Sequence, residues 1–525
     1  LIVFVLSFDL AFLWQRVGGA YASEFGGHPD EAAHYVTGLF IRDSVIMVAK
    51  YGAAGFHGSP IKVGKDFADS YYAHYPKISL GVWPPFFYVV QSAWTLPFSP
   101  VRTSILLLMC ALAATVSVLL FRPLRDEFGV VPAAFGAALF LSLPLVRSYY
   151  SMVMAEMLST ALIFGATLAF GNFLDREKRS DAVWFGVLAA LAILTKGTGL
   201  ALALAVPLAM LFTRRFHVLR RPSFWLAVVL IVVVAGPWTF ATRNLGRGGW
   251  EEPSPSWHFT LLALRYYPQK LALALCVLPL VFLAIGVWVK SRAGTPHQGR
   301  WASAGGLIVA IMIFQSILPV GLESRHLIAA LPAAIMFIVA GMGWKPLGSA
   351  EPPEPRRLLP WINAALMLAI TAGLTPLAAK NCRGFAPVAE TLLSEATPSD
   401  VALVSSDARG EGMFISEVAM REHRPGHMIQ RASKSLASST WSGSGYSPLY
   451  ENDDDLLAFL TSGKIQYLVL DDSVPDLYRR AHEDQLKRVI DQHADSFWEI
   501  ARSEIVRDGE LQAAQVKLFK IRRRN

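Results

Sequence analysis

Apolar runs close to the length of a bilayer crossing recur along this chain, and they constrain its fold more than any other feature. A helix needs about 20 such residues to cross ~30 Å of hydrocarbon. Eleven segments read as spans, at roughly 1–17, 101–121, 130–146, 153–174, 182–197, 199–213, 223–241, 267–289, 302–320, 326–343 and 358–378. With 53% hydrophobic and 17% charged residues over 525 positions, and a mean hydropathy of +0.40, the chain is expected to be a polytopic α-helical membrane protein. It opens on Leu1 instead of Met, so the natural N-terminus is expected upstream. The run "LIVFVLSFDLAFLWQRV" reads as a first transmembrane helix in preference to a signal peptide.

Charge sets the topology. The segment 81–98, "GVWPPFFYVVQSAWTLPF", is apolar, but Pro84, Pro85 and Pro97 make it a poor span, so it is placed in the interface as a juxtamembrane helix. Arg122 and Arg125, then Arg176, Lys178 and Arg179, then Arg214, Arg215, Arg220 and Arg221, then Lys290, Arg292 and Arg300, then Lys345, Arg356 and Arg357 fall on one side as a result. That side is expected to be cytoplasmic. The other side receives the loop 18–100, the turns near 147–152, 197–199 and 321–325, the loop 242–266 and everything after 379. The net charge of +8 is spread over these short loops, which points to topology and not to a nucleic-acid partner.

After residue 380 the composition becomes that of a soluble domain. "DVALVSSD", "IQYLVLDD" and "QVKLFKI" read as strands, "DLYRRAHEDQLKRVIDQHADSF" as a helix and "SSTWSGSGYS", 438–447, as a loop. The expected division is a membrane domain over 1–379 and a small extracytoplasmic α/β domain over 380–525. No Gly-rich phosphate loop follows a strand there. Cys110 and Cys276 sit in apolar runs and Cys382 stands alone, so no disulfide framework is read, and no His/Cys spacing suits zinc.

The candidate chemistry gathers on the outer side. In "GGHPDEAAHYVTG", 26–38, Asp30 and Glu31 stand at a helix start, where capping alone would explain them. Glu156 enters an otherwise apolar helix near its outer end, and an ionisable group there is a functional candidate by default. Lys196 in "LAILTKG", Arg243 in "TRNLGRGGWEE", and Arg325 with His326 in "ESRHLIAALP" lie on the same side. Snorkelling, or a structural Glu156–Lys196 ion pair, accounts for each singly. Together they would suit an anionic lipid-linked donor and an acceptor that must lose a proton.

The order of a first helix, "DEAAHY", "WPPFFY", "AEML", "LAILTKG" and "ESRHLIAALP" resembles the GT-C fold membrane glycosyltransferases over roughly residues 1 to 345. The likeness is to the branch with protein O-mannosyltransferases, lipid A aminoarabinose transferases and rhizobial lipopolysaccharide galacturonosyltransferases. It implies about 11 transmembrane helices plus juxtamembrane helices. It also implies inverting transfer of a sugar from a polyprenyl-phosphate donor to a glycan, lipid or protein acceptor at the outer face of a bacterial inner membrane. The family's acidic residue of the first outer loop matches Asp30, and its second matches Glu156, although the family often has Asp-Pro where this chain has Glu156-Met157. Trp83 stands where the family commonly has His or Lys before the paired prolines, so Lys77, His74 or Lys65 is the expected replacement. The resemblance thus implies catalytic roles for Asp30 and Glu156, while Glu31, Tyr35, Lys77, Lys196, Arg243, Arg265, Arg325 and His326 are read as candidates for substrate binding. Oxygen ligands from Asp30, Glu31 and Glu156 would suit Mg or Mn if a divalent cation is used.

A transporter or lipid-glycan flippase is the alternative from another class. It would want charge near the bilayer midplane and matched broken helices, and neither is read here. The topology has a direct check: a cysteine placed at Lys178 is expected to be unreachable from outside the cell by an impermeant thiol reagent, and labelling there would reverse the orientation.

Overall fold

A computed structural model describes residues 1–51, 60–250, 252, 254–275, 277–292, 295–347, 358–374, 380–439, 445–507 and 514–522. Among them, five helices are long and apolar enough to cross a membrane: Arg102–Phe128, Glu156–Arg176, Pro222–Ala241, Gln298–Ile317 and Ser324–Gly341. The number is seven if each of two bent pairs counts as one span. Other expected spans form shorter helices, Ile2–Val17, Arg179–Ile193, Leu202–Thr213 and Leu359–Leu374. One bend has a local cause. Leu143 precedes Pro144, whose ring disfavours the helical conformation at Leu143; Leu143 is extended at φ −61°, ψ 130°, and Val130–Ser142 meets Pro144–Tyr150 at 67°.

Segment 81–98 yields the helix Phe86–Thr95, ten residues long and therefore about 15 Å, half of a bilayer core. Small residues bring helices close elsewhere: a Cβ on Gly286 would lie 1.8 Å from the Phe337 carbonyl oxygen, and one on Gly341 would lie 1.9 Å from that of Phe282. At the end of the bundle away from Glu156, a buried Lys290 pairs with Glu127, whose other oxygen accepts from Trp301 Nε1 at 2.9 Å.

The C-terminal part holds strands β1 (Val401–Ser405), β2 (Met428–Arg431), β3 (Ala437–Ser438), β4 (Ser447–Pro448), β5 (Tyr467–Asp471), β6 (Phe497–Ile505) and β7 (Ala514–Ile521). A five-stranded sheet runs β2-β1-β5-β7-β6; β1 is parallel to β2 and β5, whereas β7 is antiparallel to β5 and β6. Strands β1 and β5 are almost wholly buried, as expected where both faces of a sheet are covered. Within the stretch read as a loop, Ser438 and Ser447 pair across β3 and β4, and 440–444 lie outside the described residues. The expected domain boundary at 379/380 borders 375–379, which also lie outside them.

The first loop is built into this sheet region. Buried Glu24 accepts backbone N–H bonds from Gly384, Phe385 and Ala386 at 2.9, 3.1 and 2.9 Å, which places a carboxylate at the start of the helix Phe385–Glu395. Arg102 pairs with Glu417, Arg424 with Asp43 at 2.8 Å, and Tyr75 donates to Glu422 at 2.5 Å. The helix Glu31–Tyr51 is thereby fixed against the helix Ala408–Arg421, and Pro60–His74 against β2. Glu24→Ala leaves three N–H groups without their acceptor. We expect a loss on the order of 3 kcal/mol, seen as a lower thermal midpoint in detergent; an unchanged midpoint would show that the contact contributes nothing.

Candidate active site

Four stretches far apart in sequence deliver one cluster of charge. Asp30 precedes the helix Glu31–Tyr51, Glu156 opens the helix Glu156–Arg176, Lys196 follows the helix Arg179–Ile193, and Arg325 lies in the short helix Ser324–Ala330. Arg325 sits at the centre. Its Nη1 donates to Asp30 Oδ2 at 3.0 Å, its Nη2 to Glu323 Oε1 at 2.9 Å, and its Nε lies 3.8 Å from Glu156 Oε1. Lys196 Nζ donates to the same Glu156 oxygen at 2.7 Å. Glu156 is only 3% exposed, and its Oε2 accepts no hydrogen bond among the described residues. A buried carboxylate with two cations on one oxygen and none on the other is not fully compensated.

The adjacent acids have separate surroundings. The Glu31 carboxylate accepts the N–H of Gly27 at 3.0 Å and that of Val153 at 3.1 Å, joining the first loop to the approach of the Glu156 helix. Asp30 turns its carboxylate to Arg325, with His28 Nδ1 at 3.5 Å, and it keeps 20% of its side chain exposed. Among the described residues no backbone N–H donates to the Asp30 side chain, so it makes no capping hydrogen bond.

Three partners escaped the sequence reading. Glu323 accepts from Arg325 and from His28 Nε2 at 3.2 Å; burial works against its charge, but the His28 bond and the Arg325 guanidinium hold it down to about 2. His34 is buried against Trp83, with ring centres 4.1 Å apart, and meets the Tyr88 hydroxyl at 2.9 Å. Burial pushes His34 down to about 4, which keeps the imidazole neutral. Glu323 and His28 stand two residues from Arg325 and Asp30 in "ESRH" and "HPD", the only local signal for them.

The other expected residues lie as follows. His326 is buried in the same small cavity as Glu156, Ser159, Lys196 and Arg325, and its Nδ1 meets the Tyr267 hydroxyl at 3.0 Å. Buried Lys77 donates to the Ala408 carbonyl at 2.8 Å, between the first loop and the sheet region. Tyr35, Arg243 and Arg265 are not brought to the cluster by any described contact. Tyr35 donates to the Pro100 carbonyl at 2.5 Å, Arg243 stacks on Phe240 at 4.3 Å, and Arg265 is exposed on the helix Trp257–Leu275. His74 ends the helix Pro60–His74, and Lys65 pairs with Asp69 on the surface at 2.7 Å.

Asp30, Glu31 and Glu156 are not gathered around one point: Glu31 is held by backbone N–H groups and Asp30 by Arg325, while Glu156 shares one oxygen with Lys196 and Arg325. No group of three or more His, Cys, Asp or Glu side chains able to hold a metal occurs among the described residues.

Residues 83–240 match the model of the family described as dolichyl-phosphate-mannose-protein mannosyltransferase. The structure is similar to ArnT from Cupriavidus metallidurans in the apo state, with TM-score 0.63, 16% identity and coverage of 98% of this chain and 97% of that one. It is similar also to the same protein bound to undecaprenyl phosphate, with TM-score 0.59, 15% identity and the same coverage. The oligosaccharyltransferase AglB from Archaeoglobus fulgidus, in complex with an inhibitory peptide and a dolichol-phosphate, matches at TM-score 0.50 and 12% identity over 89% of this chain and 69% of that one. No curated protein matches the chain by search. The chain thus has the GT-C fold and is an integral membrane protein.

Lys77 carries a pH signature. Burial, and then Arg431, push it from its ordinary 10.5 down to about 7, so between about pH 7 and 10.5 the unfolded chain binds more protons there than the folded one. Stability therefore rises with pH across that window as far as Lys77 is concerned. In a series of thermal midpoints from neutral to alkaline pH, Lys77→Met is expected to flatten this rise relative to the parent protein; parallel profiles would show that Lys77 is not held neutral.

Proposed function

With the GT-C fold as premise, we propose that the chain is an inverting glycosyltransferase acting at the outer face of a bacterial inner membrane, on a polyprenyl-phosphate sugar and a lipid, glycan or protein acceptor. The observation that carries this reading is Arg325, which holds Asp30, Glu156 and Glu323 around one guanidinium beside Lys196. The similar ArnT binds undecaprenyl phosphate and the similar AglB a dolichol-phosphate, and cations fixed near the membrane boundary are what such a phosphate needs.

The reaction follows from these groups. The acceptor hydroxyl oxygen attacks the anomeric carbon from the face opposite the phosphate, and the carbon–oxygen bond to phosphate breaks with its electron pair left on the phosphate oxygen. The hydroxyl proton passes to Asp30, the most solvent-accessible of the acids at hand apart from Glu323. The charge growing on phosphate is met by Lys196 and Arg325. Both already face Glu156, so an incoming phosphate competes with that carboxylate for them, and Glu156 becomes available to orient the acceptor. A phosphate is a good leaving group, so one base suffices where hydrolases use two carboxylates. The C-terminal sheet region, pinned to the first loop, would present the acceptor to Asp30.

The test uses purified protein in a bilayer with a polyprenyl-phosphate sugar. Asp30→Asn is expected to fold normally and lose at least ~100-fold in transfer rate, the lower range for general-base catalysis. Glu31→Gln replaces one of two acceptors by a donor and is expected to lower the thermal midpoint by about 1–3 kcal/mol of stability, while the folded fraction keeps its turnover. Transfer by Asp30→Asn at the parent rate would sink the assignment of the base.

A further inference from the structure

The roomier cavity lies at the opposite end of the helices. The Glu156–Arg176 helix has 21 residues, about 30 Å at 1.5 Å each, so its two ends are one hydrocarbon thickness apart. At the Arg176 end, Asn172, Asp175, Arg176, Arg215, His297 and Arg300 line an open cavity of ≈ 490 Å³. Most of its charges are matched: Arg215 pairs with Asp175 at 3.0 Å and Arg176 with Asp181 at 2.9 Å. Asp175 also accepts the N–H of Gly299 at 2.7 Å and that of Arg300 at 3.3 Å, which satisfies the start of the helix Gln298–Ile317.

Arg300 is the exception. Its Nη2 donates to the neutral Asn172 amide oxygen at 3.2 Å, and its Nη1 is buried without a hydrogen-bond partner among the described residues. No salt bridge to its guanidinium occurs among the described residues; Asp126, Asp175 and Glu127 act on it only from farther away. A half-buried guanidinium on the wall of a polar cavity, with a neutral amide as its side-chain partner, is an arrangement that an anion would complete. The level of the cavity identifies the source. Exposed Trp225 stands three residues into the helix Pro222–Ala241, and exposed Trp288, with Arg292 stacked on it at 3.9 Å, stands near the end of the helix Val277–Lys290. Aromatic rings at helix ends with arginines beyond them mark the headgroup layer, and basic pockets between spanning helices suit lipid phosphates.

We infer that this cavity binds a phosphate-bearing anion, the headgroup of an anionic phospholipid in the leaflet opposite the Arg325 cluster, with Arg300 as its principal contact. The inference is independent of the transfer reaction. The full chain, stripped of lipid in detergent, is titrated with phosphatidylglycerol, phosphatidylcholine or inorganic phosphate, and bound ligand is read by native mass spectrometry alongside the thermal midpoint. Phosphatidylglycerol is expected to bind and raise the midpoint, with Arg300→Gln weakening it about fivefold and Arg300→Lys, which keeps the charge, recovering part of the loss. Binding of inorganic phosphate that blocks phosphatidylglycerol would keep the anion site but assign it to a soluble phosphate. Equal binding of both lipids, or equal phosphatidylglycerol affinity in parent and Arg300→Gln, would overturn the inference.

Discussion

The arrangement around Arg325 depends on the high cost of an unpaired charge near hydrocarbon. A guanidinium can be kept there only if carboxylates come to it, and they come from positions 295 and two residues earlier in the chain. Once Asp30 is held this way, the loop that carries it must lie across the bundle end, and the Glu31 carboxylate closes it onto Gly27 and Val153. The geometry of the first loop, the opening of the Glu156 helix and the Ser324–Ala330 turn are one electrostatic solution.

The same physics accounts for what the sequence could reveal. Spanning helices announce themselves because apolar length is a property of neighbours in the chain, and Pro84, Pro85 and Pro97, together with the basic loops that then fall on one side, kept 81–98 from being read as a crossing. Asp30, Glu156, Lys196 and Arg325 were legible because, although each has an ordinary explanation singly, together they put several ionisable residues beside apolar runs on one side of the membrane. Glu323 and His28 were not, since both sit in polar turns where charge is unremarkable, and only the fold shows that they share a guanidinium. Tyr35 lies in the most suggestive motif of the chain, yet its hydroxyl donates to the Pro100 carbonyl and no described contact brings it to the cluster. Strand β6 had no clear alternation to read, because its burial changes irregularly along its length.

The two ends of the Glu156–Arg176 helix make an instructive pair. At one end, acids outnumber the fixed cations that hold them. At the other, arginines are tied to Asp175 and Asp181 while Arg300 is left over. A single rigid element thus sets two polar sites at the two surfaces of the hydrocarbon, with a tightly packed apolar interior between them.

The Glu24 contact has a consequence for how the protein is made. The carboxylate and its first N–H partner are 360 residues apart, so at ordinary synthesis rates of 5–20 residues per second roughly 20 to 70 s pass before the partner exists. For that interval the first loop carries an acid whose final burial is not yet available, while the membrane helices are already being inserted. The loop that bears Asp30 therefore reaches its final shape only after the last part of the chain has emerged, and a nascent or truncated chain lacking residues 384–386 has its helices in place but not that shape.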